Sequence, residues 1–102
     1  MPVIIKNFKR IVLSEITKTI KIINKLGLHA RPAALLVQEA SKYLSSIELE
    51  ANGIKVNGKS IMGVMMLAAA YNNELKIIAN GEDSDAAITG IETLVNSKFD
   101  EE

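Results

Sequence analysis

SSIELEANGIKVNG, residues Ser45 to Gly58, alternates apolar and polar side chains on either side of an Asn–Gly pair. Ile47, Leu49 and Ala51 face one way while Glu48 and Glu50 face the other, the period-two signature of a half-buried strand. Asn52–Gly53 accepts the positive φ angles that a tight hairpin turn demands. A two-residue turn at that pair sets Ala51 opposite Ile54 and Leu49 opposite Val56, apolar against apolar throughout. The chain therefore holds an antiparallel pair of strands, and the flanking segments must pack against it.

Upstream, the period changes. Ala33, Leu36, Val37, Ala40 and Leu44 recur at three- and four-residue steps, which predicts an amphipathic helix ending near Tyr43. Ahead of it, strand character begins at Ile16: Ile16, Ile20 and Ile22 share a parity, with β-branched Thr17 and Thr19 between them. Lys18 interrupts that face. Downstream lies a short apolar segment, SIMGVMMLAAA (residues 60–70), and then ELKIIAN (residues 74–80). In the latter, Leu75, Ile77 and Ala79 alternate with Lys76 and Ile78 as in a strand. DSDAAITGIETLVNSKF (residues 83–99) puts Ile88, Ile91 and Val95 on one helical stripe, with Asp83 or Ser84 as its cap. Gly90 is a mild cost inside that helix. The order strand, helix, hairpin, short helix, strand, helix predicts an α+β domain of two layers, its helices on one face of an antiparallel sheet.

A chain of 102 residues is the size of one domain. Twelve basic and twelve acidic side chains cancel, which argues against wholesale binding to nucleic acid or to an anionic membrane surface. With no cysteine, disulfides, thiol chemistry and cysteine-bound zinc are excluded, and one histidine cannot make a multi-histidine metal site. MPVIIKNFKRIVL never gives the unbroken apolar run of a signal peptide, and nothing reaches the length of a membrane span, so a cytoplasmic location is expected. Residues 1–14 carry Lys6, Lys9 and Arg10 without an acid. They are read as a flexible extension or as an added strand through Val3, Ile4 and Ile5.

The single histidine stands in GLHARPA, residues 27–33. Gly27 permits a sharp turn, and Pro32, having no amide hydrogen, fits only the first turn of a helix. The helix then starts near Ala30, and His29 lies beside the free amides of Ala30 and Arg31 at the positive end of the helix dipole. Such a terminus attracts phosphate, and the planar fork of Arg31 suits phosphate oxygens. These surroundings disfavour a second proton on the imidazole, and a neutral ring can act as a nucleophile. With no second base committed to activating water, the set fits phosphoryl carriage better than hydrolysis. The plainer alternative is a histidine that merely caps a helix; the glycine, arginine and proline around it count against that.

Gly27-Leu28-His29-Ala30-Arg31-Pro32-Ala33 resembles the active-site signature of the HPr family, the histidine-containing phosphocarriers of the phosphoenolpyruvate-dependent phosphotransferase system. A second block, Gly58-Lys59-Ser60-Ile61-Met62-Gly63-Val64-Met65-Met66-Leu67, is similar to that family's regulatory serine segment. Both motifs lie in one register, within a likeness running from about Glu15 to Lys98. It implies a βαββαβα order, an open-faced two-layer sandwich with four antiparallel strands covered on one face by three helices. It implies too that enzyme I, charged by phosphoenolpyruvate, phosphorylates His29 on Nδ1 and that His29 passes the group to an enzyme IIA domain. Arg31 then neutralises the phosphate, and no cofactor is needed. Family members of ordinary length start close to Ser14, so residues 15–102 correspond to the carrier domain and residues 1–14 have no counterpart.

Ser60 precedes an apolar run and is well placed as a helix N-cap. The resemblance implies more: phosphorylation of Ser60 by the HPr kinase/phosphorylase, the added charge opposing docking to an acidic face of enzyme I. In the run itself, Ile61, Met62, Val64, Met65, Met66 and Leu67 are apolar nearly all round, so in so small a domain some must face water. Ile61, Met62 and Met65 are the expected docking patch near His29, since flexible methionines suit a surface that meets several partners. A second reading is a regulatory interaction module working mainly through the Ser60 surface; the resemblance implies that such relatives lack the histidine retained here. A monomer is the simple expectation. Sugar uptake and a nitrogen-related branch are not separated by the sequence.

Overall fold

The computed structural model describes residues 15–101. Strand β1 (Glu15–Lys21) leads to helix α1 (Ala30–Ala40), then to the hairpin of β2 (Ser46–Ala51) and β3 (Ile54–Asn57). Helix α2 (Ile61–Met66), strand β4 (Glu74–Asn80) and helix α3 (Ser84–Asn96) follow, and a short 3₁₀ turn over Lys98–Asp100 is the last of the described elements. The four strands form one antiparallel sheet in the order β1-β4-β2-β3. The expected α+β architecture, with three helices against this sheet, is the one found. The expectations for residues 1–14 lie outside the described residues.

The hairpin has the register that its alternation predicts, with Ala51 opposite Ile54 and Leu49 opposite Val56. Asn52 and Gly53 both take positive φ, 53° and 78°, as a primed two-residue turn requires. In the sheet's centre Ile47 pairs with Ala79 and Leu49 with Ile77. These side chains point into the core with Leu75, where Leu36 of α1 and Ile91 and Val95 of α3 meet them from above. Burying each such aliphatic side chain contributes about 1.5–3 kcal/mol, so this layer carries most of the folding energy. Lys18, which interrupts the apolar parity of β1, bonds Glu92 of α3 at 2.8 Å. The charge thus sits on the covered face with a partner at its rim.

One local expectation is corrected and two are refined. Helix α1 ends at Ala40 rather than near Tyr43, because Lys42 and Tyr43 turn back onto Glu39 and Ala40 through tightened three-residue bonds. Leu44 is therefore thrown clear of the helical stripe and stands 88% exposed. Asp83 occupies the N-cap position of α3, but its side chain makes no capping bond there. Gly90 has a positive reason to be glycine: a Cβ would meet the Tyr43 hydroxyl at 2.2 Å and the Glu39 carboxylate at 2.4 Å, where α1 and α3 lie close. Among the described residues, no helix is long and apolar enough to cross a membrane.

Candidate functional site

The corner that presents His29 is assembled by backbone bonds. Gly27 turns at φ 68°, its N–H bonded to the Asn24 carbonyl at 3.2 Å, and Leu28 donates to the Ala69 carbonyl at 2.8 Å. A Cβ on Gly27 would lie 2.5 Å from that same carbonyl, so the approach of the segment after α2 requires glycine twice over. Leu28 is buried, and His29 follows as the N-cap of α1 in extended backbone. The His29 carbonyl accepts the first helical bond, from Ala33 at 3.0 Å. The N–H groups of Ala30 and Arg31 have no acceptor within the helix, and Pro32 brings none to satisfy. Ala30 and Arg31 are exposed, and the imidazole side chain is 36% exposed. The ring is thus neither sealed in the core nor remote from a helix opening.

Sequence reasoning missed two further residues. Glu101 Oε2 lies 2.7 Å from His29 Nε2, and Glu101 Oε1 accepts from the Asn24 amide at 3.0 Å. Asn24 is fully buried and donates its second amide hydrogen to the Gly27 carbonyl at 2.9 Å. Glu101 is carried there by a turn in which Lys98, Phe99 and Asp100 all adopt left-handed backbone, with φ of 58°, 55° and 56°. Such residues each cost about 1–2 kcal/mol, so the turn needs an anchor. Phe99, wholly buried, is that anchor. The apolar Phe99 inside a polar tail was the one signal in the sequence that this end docks.

The electrostatics differ from the purely cationic setting expected for the ring. The Asn24 amide first, then the His29 bond and the charges of His29 and Arg31, hold the Glu101 carboxyl below the ordinary glutamate range, against the burial that pulls it up. A carboxylate therefore stands on one side of the ring, while the exposed Arg31 and the free helix amides stand near the helix mouth. Lys25, Leu26, Arg31 and Glu101 line an open recess of about 430 Å³ at this corner.

Ser60 is the N-cap of α2, its hydroxyl accepting from the Gly63 N–H at 3.1 Å. Of that six-residue helix only Val64 is buried. Ile61 (44%), Met62 (73%), Met65 (46%) and Met66 (64%) are exposed, and α2 packs against α1 and β3. The chain leaving α2 supplies the Ala69 carbonyl that holds Leu28, which ties the apolar surface to the histidine corner.

The sequence profile of a family described as "PTS HPr component phosphorylation site" matches residues 16–97. A phosphocarrier protein HPr of Treponema pallidum is 49% identical over 87 residues, covering 85% of this chain and 99% of that protein. The crystal structure of HPr-C-His from Thermoanaerobacter tengcongensis superposes with a TM-score of 0.82 at 52% identity, covering 85% of this chain and 98% of the other. Crh, a catabolite repression protein of Bacillus subtilis crystallised as a swapped dimer, is 46% identical, with a TM-score of 0.65 over 78% of this chain and 91% of its own.

Proposed function

This chain belongs to the HPr family of phosphotransferase-system phosphocarriers, and on that premise we propose that His29 accepts a phosphoryl group from phospho-enzyme I and yields it to an enzyme IIA domain. One observation supports this above the rest: a part-exposed imidazole at the N-cap of α1, beside two amides with no helical acceptor, with the exposed Arg31 lining the adjoining recess. A ring nitrogen attacks phosphorus, and the bond between phosphorus and the donor breaks with its electron pair leaving on the donor. The amides of Ala30 and Arg31 and the Arg31 side chain cradle the phosphate oxygens. Imidazole is a good leaving group, so the step reverses toward the next acceptor. The protein is a reaction partner that needs enzyme I as its kinase, and it works in the cytoplasm where phosphoenolpyruvate is made available.

Ile61, Met62 and Met65 form the docking patch for enzyme I and enzyme IIA, and Ser60 at its edge is the regulatory phosphorylation site of an HPr kinase/phosphorylase. A second reading, a regulatory module acting through the Ser60 surface alone, draws support from the likeness to Crh. Retention of His29 in its helix mouth favours the carrier. The test is incubation with enzyme I and labelled phosphoenolpyruvate. Acid-labile label on the wild-type chain, absent from His29→Ala, supports the carrier; equal labelling of both proteins refutes it.

A further inference from the structure

We propose that Asn24 and Glu101 form a positioning relay that keeps a proton on His29 Nε2 through both halves of the transfer, the structural support for the Nδ1 chemistry that the family resemblance implies. The proposal rests on the carrier reading for its consequence but not for its geometry. The Asn24 amide nitrogen lies between two acceptors, the Gly27 carbonyl at 2.9 Å and Glu101 Oε1 at 3.0 Å. Only the NH₂ end of that side chain can face both, so its orientation follows from the chemistry of its neighbours. The Asn24 Oδ1, buried and without a hydrogen-bond partner among the described residues, is the cost of spending both amide hydrogens this way.

Glu101 is thereby held from a buried anchor, with its second oxygen 2.7 Å from His29 Nε2. An ionised carboxylate has no hydrogen to give, so the hydrogen in this contact belongs to the ring. In the neutral imidazole the remaining lone pair is then on Nδ1. When that pair forms the Nδ1–P bond, the donor's bond to phosphorus breaks and its electrons leave with the donor. The ring becomes a phospho-imidazolium whose positive charge faces Glu101. When the group moves on, the Nδ1–P electron pair returns to Nδ1 and the ring is neutral again. No proton has to arrive or depart in either half. Lys25 and Arg31 line the same recess as Glu101, and the Arg31 charge also favours the ionised Glu101 carboxylate.

The experiment uses the full chain in wild-type, Glu101→Gln, Glu101→Asp and Glu101→Ala forms, with folding checked by circular dichroism. In the unphosphorylated wild type, nitrogen-15 spectra of the neutral ring should show a directly bonded Nε2–H proton protected from exchange, and it should vanish in Glu101→Ala. Phosphotransfer from phospho-enzyme I should slow at least about tenfold in Glu101→Gln at unchanged KM, with Glu101→Asp recovering part of the rate. A wild-type ring whose hydrogen sits on Nδ1, an Nε2–H signal that survives in Glu101→Ala, or wild-type transfer by Glu101→Gln each overturns the relay. Absence of label from the wild-type chain sinks the carrier reading instead, because the nitrogen-15 result is read without any phosphate.

Discussion

Asp83 stands at the N-cap of α3 but directs its carboxylate to the entrance of β2: it accepts the Ser45 N–H at 2.9 Å and the Ser45 hydroxyl, and the Leu44 N–H at 2.8 Å. The entrance to β2 is thus tied to the entrance of α3, across 38 residues of chain.

These bonds, the Ser45 hydroxyl foremost and the Leu44 N–H next, hold the Asp83 carboxyl below the ordinary aspartate range. A lowered folded-state pKa means the unfolded chain takes up protons first as acid is added. The contribution is therefore complete above the ordinary aspartate value of about 3.9 and is lost as pH falls through the lower folded value. Asp83→Asn should lower the urea midpoint at neutral pH, and the gap from wild type should close in strong acid. A gap that stays constant with pH would remove the carboxylate from this role.

Tyr43 donates to Glu39 at 2.6 Å, and that bond, with burial second, raises its hydroxyl to about 12. Here the sign is opposite. The folded state keeps a proton that the unfolded state loses near 10, so this contribution is full below about pH 10 and is lost as pH rises toward 12. In a Tyr71→Phe background, phenolate absorbance should titrate near 12, and Glu39→Gln should bring the midpoint back toward the ordinary tyrosine value. A midpoint unmoved by Glu39→Gln would refute the bond as the cause.

Ser60 accepts the Gly63 N–H, so Ser60→Ala should cost about 1 kcal/mol in chemical denaturation. Ser60→Asp retains an acceptor at the N-cap and should keep most of that stability, yet slow transfer from enzyme I by placing charge at the proposed docking surface. Equal transfer rates for Ser60→Asp and wild type would separate the cap from any regulatory role.

Met62 is 73% exposed, so Met62→Glu should alter stability by no more than about 0.5 kcal/mol. Its loss from the proposed docking patch should raise the KM for enzyme I about tenfold, equivalent to roughly 1.4 kcal/mol. Saturation kinetics identical to wild type would place the patch elsewhere.

The features legible along the chain are those set by near neighbours. Alternation around Asn52–Gly53 specifies the hairpin and its register, because a one-residue slip would turn Leu49 and Ala51 to water. Gly27 and Pro32 mark the corner at His29, because each permits backbone that its neighbours cannot adopt. What escaped the sequence depends on how elements pack. Leu44 fits the α1 stripe by spacing alone, and is exposed because the helix has already ended at Ala40. Gly90 looks like a simple loss of helix propensity until Tyr43 and Glu39 are seen to fill the space beside it.

The same division holds at the site. Its histidine, its arginine and its helix mouth follow from seven consecutive residues, since capping and φ preference act within one turn. Which groups stand behind the ring was decided only by folding: Glu101 is 72 residues from His29 and 77 from Asn24. A carboxylate at the end of a polar tail carries no local mark of its target. Burial of Phe99 seats the terminal turn, and that seating together with the Asn24 bond brings the carboxylate to the imidazole.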